Sequence, residues 1–231
     1  MGKQLSDMTL VELWKLFPIV LKEHNTAYAG WYEIERQKLV EDVPDSMIKR
    51  ISHIGSSAVK GLICKPTVDV LLEVDRECEL ETLKKLLIDS GWVYMSTSKD
   101  PIKTISFNKG YTAGGFAEKV YHLHVRCFGD WDELYFRDYL IEHSEAVKEY
   151  ADLKLLLQRK YKNDRDGYTD AKSEFIKSYT KKAREEFGGR YEEHGCQRET
   201  AWTKTYKKMQ TDLSDFRTPM KARALLCLHI P

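Results

Sequence analysis

Residues 67–74, TVDVLLEV, constrain this chain more than any other stretch. Successive side chains of a strand point to opposite faces. Val68, Val70, Leu72 and Val74 then form one apolar face, and Thr67, Asp69, Leu71 and Glu73 form the other. A carboxylate in such a strand is costly unless it is paired or bound to a cation. The residues just before it, HIGSSAVKGLICKP (53–66), place a Gly-Ser-Ser turn between a strand pattern and a short helical pattern. Such a turn exposes backbone N–H groups and hydroxyls that can cradle a phosphate, although most turns of this kind only connect elements.

The flanking patterns predict an α+β fold, a small mixed sheet covered by helices with a helical C-terminal half. Apolar spacing predicts helices over 10–21, broken or kinked by Pro18, over 31–43, and over 80–92 ending at Gly91. Strands are expected at 47–54, 67–74, 103–108 and 119–128, the last two joined by the flexible KGYTAGG. From Asp132 onward ELYFRDYLIEHS, EAVKEYADLKLLLQRKY and YTDAKSEFIKSYTKKAREEF read as long helices. Residues 1–189 are expected to form one domain. Residues 190–231, polar and mixed, read as a partly ordered tail with one helix around 200–212.

Three further acids or imidazoles bear on Asp69. Glu73 shares its face, but four residues of strand separate the two Cα atoms by about 13 Å. Glu73 therefore reads as a polar strand end rather than a co-ligand. His122 and His124, in VYHLHV, share one strand face opposite Tyr121, Leu123 and Val125. If that strand neighbours Asp69, two imidazoles and a carboxylate converge. Such a set suits Mn²⁺, Zn²⁺ or Fe²⁺ better than Mg²⁺, which prefers oxygen ligands. The same histidines could instead bind phosphate, serve as a general base, or be hydrogen-bonded sheet residues. His53 could orient the turn, and Lys65 could approach a phosphate or stay solvated.

Charge and composition exclude several classes. The formal net charge is +1, which gives no global field for nucleic acid. No run approaches the roughly 20 apolar residues of a membrane span, and the first ten residues carry no signal-peptide pattern. A cytoplasmic location is the expectation. The five cysteines include no C-x-x-C pair, which fits reduced thiols rather than a zinc site or disulfide framework.

HIGSSAVKGLICKPTVDVLLEV, YHLHV and FRDYLIEHSEAVKEYADLK together resemble the GrpB family over roughly residues 10–189. That resemblance implies a nucleotidyltransferase superfamily core of the DNA polymerase β type. It implies a divalent metal, Mg²⁺ or Mn²⁺ with Zn²⁺ as a further candidate, and ATP or another nucleotide as substrate. It also implies a small-molecule or protein acceptor, with a hint of coenzyme A metabolism because relatives occur fused to dephospho-CoA kinase. Gly55, Ser56 and Ser57 match the phosphate-holding turn, and Asp69 matches the first metal-binding acid. His124 is the candidate catalytic partner, with His122 and His124 as metal ligands. Arg137, Lys154 and Lys172 match basic positions of the family motifs and join Lys65 as phosphate-binding candidates. Two departures stand out. Leu71 occupies the place of the second acid, and Lys60 the place of a common proline. Leu71 keeps open the alternative of a nucleotide- or coenzyme-binding module without catalysis.

Overall fold

The computed structural model describes residues 4–98 and 104–192. The expected tail lies outside them from residue 193 onward, as does its helix. The chain begins with a 3-10 turn at Leu5–Asp7 and helix α1 (Leu10–Leu16). A capping box between Thr9 and Glu12 starts α1, and Pro18 follows its end. Then come α2 (Ala27–Asp42), β1 (Ile48–Ile54), a 3-10 turn at Ser56–Ala58, β2 (Val68–Val74) and α3 (Leu80–Asp89). Next are β3 (Val93–Ser98), β4 (Thr104–Thr112) and β5 (Gly115–Cys127). The C-terminal half is helical: α4 (Asp132–Glu142), α5 (Ser144–Lys160), α6 (Arg165–Asp170) and α7 (Ser173–Phe187).

The five strands form one mixed sheet in the order β1-β2-β5-β4-β3. Among the described residues only the β2–β5 pair is parallel. The apolar face of β2 joins Leu123 and Val125 of β5 and Ile105 and Phe107 of β4. Helices α2 and α3 cover that face through Leu39, Leu83 and Leu87. The opposite face carries Asp69, Leu71 and Glu73. There Leu71 is wholly buried against Ile54, Trp131 and Leu134. Full burial of a leucine contributes about 1.5–3 kcal/mol, so the position expected to hold a second acid is a core contact.

Three expectations change. KGYTAGG is the closing hairpin of two long strands rather than a flexible joint, because β4 and β5 extend into it and pair Tyr111 with Phe116. The last helical pattern divides near Ala171 and Lys172 into α6 and α7. Glu73 is not a polar strand end: it is fully buried and paired with Arg50.

Candidate metal and phosphate site

The site lies at the centre of the sheet's second face, where the turn after β1 meets β2 and β5. Antiparallel pairing sets Ile54 opposite Asp69, and parallel pairing sets Asp69 opposite His122 and Leu71 opposite His124. Side-chain alternation then directs Asp69, His122 and His124 to one face. Gly55 follows Ile54 with φ +69° and ψ −171°, a conformation close to glycine-only. A Cβ there would lie 2.5 Å from Asp69 Oδ2. The glycine thus gives the carboxylate its room, which ties the Gly-Ser turn to Asp69 physically.

His122 Nδ1 is 3.0 Å from Asp69 Oδ1, and His124 Nε2 is 3.8 Å from the same oxygen. Donor atoms of the three residues all fall within 4.8 Å of one another. Burial keeps the His122 imidazolium from forming, lowering its pKa to about 4 against the pull of Asp69. Burial opposes ionisation of Asp69, but hydrogen bonds from His122 and His124 hold its carboxyl far below the usual range. At neutral pH a neutral imidazole therefore faces an ionised carboxylate, the protonation states that metal binding requires.

The second nitrogen of His122 is also held. Tyr111 Oη lies 2.8 Å from His122 Nε2, and Arg165 Nη2 donates to Tyr111 Oη at 3.2 Å. A metal-ligating histidine characteristically has its other ring nitrogen fixed in this way. With Nδ1 turned to an ion and Nε2–H donated to Tyr111, the residues present fit a divalent cation. Neither Tyr111 nor Arg165 was among the sequence candidates. The signal was Gly110, whose φ of +90° marks a register shift between Lys109 and Tyr111. Lys109 projects to the α2 side, where it pairs with Glu35, whereas Tyr111 arrives on the His122 side.

Basic residues gather around this group. Lys154 is almost fully buried, and its Nζ donates to Ser56 Oγ at 3.1 Å and to the carbonyl of Ile63. Burial lowers its pKa to about 7. Lys172, at the break between α6 and α7, sits 4.3 Å over the Tyr168 ring. Burial, then the charges of Lys65 and Lys154, lower it to about 7 as well. Lys154, Lys172 and Arg165 have no carboxylate partner among the described residues, where every ion pair is made by other side chains. Asp69 is the one carboxylate whose charge acts on both lysines, and like charges held together with so little opposite charge form a ready anion site.

The remaining candidates serve the wall rather than the opening. Ser57 is buried, with its hydroxyl 3.1 Å from His53 Nε2 and its carbonyl 3.2 Å from His24 Nε2. His53 stacks on Tyr32, with centroids 4.8 Å apart, and burial lowers its pKa to about 4. Arg137 donates to the His53 carbonyl at 3.0 Å, to Asp138 and to Tyr191. It braces β1 from behind the turn. Of the two serines, only Ser56 turns its hydroxyl to the cationic cluster.

A family model described as GrpB protein matches residues 18–182, a span that contains every residue of the site. The Glutamate-rich protein GrpB of Alkalihalophilus pseudofirmus is 32% identical over 162 residues, covering 68% of this chain and 91% of that protein. A UPF0157 protein of Pseudomonas aeruginosa is 33% identical over 127 residues, 54% of this chain and about half (52%) of its own length. The crystal structure of the conserved protein GrpB from Enterococcus faecalis superposes with a TM-score of 0.63 at 26% identity. That match covers 73% of this chain and 99% of the other.

Proposed function

This chain belongs to the GrpB family, and from its site we propose that it is a metal-dependent, nucleotidyltransferase-like enzyme acting on ATP or another nucleotide and a small acceptor. One observation carries the reading. Three metal-type donors within 4.8 Å of one another border the buried Lys154 and the half-buried Lys172 and Arg165, none of which is in an ion pair among the described residues. Asp69, His122 and His124 would hold the ion, Mn²⁺ or Zn²⁺ suiting two imidazoles better than Mg²⁺. When bound, it would offset charge on phosphoryl oxygens. Lys65, Lys154, Lys172 and Arg165 would hold the phosphates, with Ser56 donating a hydroxyl hydrogen bond. In the transfer, an acceptor oxygen attacks the α-phosphorus, the bond to pyrophosphate breaks, and the hydroxyl proton passes to a base. His124 is the less committed imidazole, 3.8 Å from Asp69, and takes that base role where Asp69 and His122 alone hold the ion.

A second reading has its own support. Leu71 is buried in the core and Glu73 is engaged by Arg50, so two-metal catalysis lacks its second acid. A single-ion nucleotide- or coenzyme-binding module without transfer is the alternative. Thermal melting with ATP, with and without Mn²⁺, tests both. A ligand at about 100 times its Kd stabilises by about 2.7 kcal/mol. The Mn²⁺-dependent shift is expected in the native protein and absent in Asp69→Asn. Its retention in Asp69→Asn would overturn the metal role. Labelled ATP that binds but transfers to no acceptor would favour the binding module.

A further inference from the structure

A second cavity opens beside the site, on the same face of the sheet. It measures about 420 Å³ and is floored by Val93 and Met95 of β3 and Asn108 and Tyr111 of β4. Phe17 and residues 4–6 complete its wall. Register places Asn108 directly opposite His122, and Val93 opposite Asn108. Tyr111 belongs to both places: its ring lines the cavity while its hydroxyl lies 2.8 Å from His122 Nε2. The volume lies in the range of small-molecule sites.

The lining decides the ligand. Among the described residues its lining contains no charged side chain, and its surface is mostly carbon. An ammonium or carboxylate placed there would be desolvated without a partner. Phosphate-bearing molecules, coenzyme A among them, are excluded on the same ground. Its polar lining residues are Gln4, Ser6, Asn108, Tyr111 and Thr112, and at the end beside His122 the Asn108 carboxamide makes no hydrogen bond among the described residues. We infer that this cavity is the acceptor site, and that the acceptor is a small neutral alcohol. Its apolar body rests on Phe17, Val93 and Met95, and its hydroxyl is directed by Asn108 and Tyr111 toward the Asp69–His122–His124 group. The inference rests on the transferase reading for the word acceptor, whereas the site itself does not depend on that reading.

The test uses 2-phenylethanol as the probe, with phenylacetate and 2-phenylethylamine as charged counterparts. Methionine methyl groups are ¹³C-labelled, and the Met95 signal is identified with Met95→Leu. Saturable displacement of the Met95 signal by the alcohol is expected, with both charged probes at least tenfold weaker. Ala113→Trp, an exposed hairpin position lining the cavity, should weaken the alcohol at least tenfold while leaving Mn²⁺ binding unchanged. Equal binding of the charged probes, an alcohol unaffected by Ala113→Trp, or no saturable displacement of Met95 would each overturn the proposal. Added Mn²⁺ should broaden the resonances of the bound alcohol. If Mn²⁺ does not bind at all but the alcohol does, the metal reading fails and the neutral-ligand cavity stands. If Mn²⁺ binds and the bound alcohol is not broadened, the cavity is not an acceptor site.

Discussion

One strand face carries two carboxylates, and their surroundings separate a structural acid from a candidate functional one. Glu73 is fully buried and answered from within the protein. Arg50 Nη2 donates to its Oε1 at 2.7 Å, and the backbone N–H of Gly129 donates to the same oxygen at 3.2 Å. Arg50 is itself sandwiched, 4.9 Å from the Phe128 ring centroid and 5.0 Å from that of Tyr191. Nothing is left for a ligand to satisfy. Asp69, four residues away on the same face, retains 24% of its side-chain exposure and is answered by two imidazoles. Lys154, Lys172 and Arg165 near it make no ion pair among the described residues. A closed pair fixes a fold, whereas an incomplete charge balance invites a ligand.

The sharpest way to break this contrast is to remove the cation from one end and the charge from the other. Arg50→Met strands a buried carboxylate, and loss of one partner of such a pair costs about 3–5 kcal/mol. Denaturant unfolding should show that loss, with Mn²⁺ binding by the remaining folded protein unchanged. Asp69→Asn should do the reverse, abolishing Mn²⁺ binding with a stability change within about 1 kcal/mol. Similar stability losses in the two variants would end the distinction.

Gly55→Ala probes the link between the turn and Asp69. Its backbone region costs a side chain about 1–3 kcal/mol, and the new Cβ would meet Asp69 Oδ2 at 2.5 Å. Stability should fall by that amount, and Mn²⁺ affinity should fall with it because the carboxylate must move. A stability loss with unaltered Mn²⁺ affinity would show that the turn and the acid are independent.

The cationic cluster makes a pH prediction of opposite sign for stability and for binding. Burial lowers Lys154 and Lys172 to about 7 in the folded protein. An unfolded lysine titrates near ~10.4. Between these values the unfolded chain binds more protons, so the two lysines make folding stability rise with pH from about 7 to about 10. A bound phosphate favours their charged forms, so binding takes up protons above pH 7. ATP affinity should therefore fall with rising pH, by up to about tenfold per unit for each lysine. Titration calorimetry at about pH 6.5 and 8.5 checks this, and Lys154→Met should flatten the slope. A flat profile in the native protein would remove these lysines from the phosphate site.

The sequence revealed the elements of this site more readily than their junctions. Alternation alone put His122 with His124 and Asp69 with Leu71, because strand period is a local property. The parallel pairing of β2 with β5, which brings the two sets together, depends on chain crossing and has no local signature. Glu73 was misread for the same reason: Arg50 lies on the neighbouring strand, and only pairing places it opposite Glu73. The strand Val93–Ser98 escaped because VYMSTS lacks clean alternation, and a register irregularity lies between Tyr94 and Ser96. Arg137 and Ser57 matched a motif yet turned inward, since a motif specifies residue type and not side-chain direction.

Tyr111 offers the finest test, because it acts on Asp69 only through His122. Its hydroxyl occupies His122 Nε2 at 2.8 Å and takes a hydrogen bond from Arg165 at 3.2 Å. Tyr111→Phe removes that hydroxyl and keeps the ring against Phe17, whose centroid is 4.8 Å away. Packing is thereby preserved, and stability should change by no more than about 1 kcal/mol. Loss of an outer partner of a metal-bound histidine typically weakens metal affinity by about 10–100-fold, and the lower end is expected where Asp69 and His124 still hold the ion. The measurement is Mn²⁺ titration of Tyr111→Phe against the native protein at one pH. Unchanged affinity would mean that the hydroxyl does not position His122 for an ion. In that event the imidazole's two bonds would belong to the closed kind of network that surrounds Glu73.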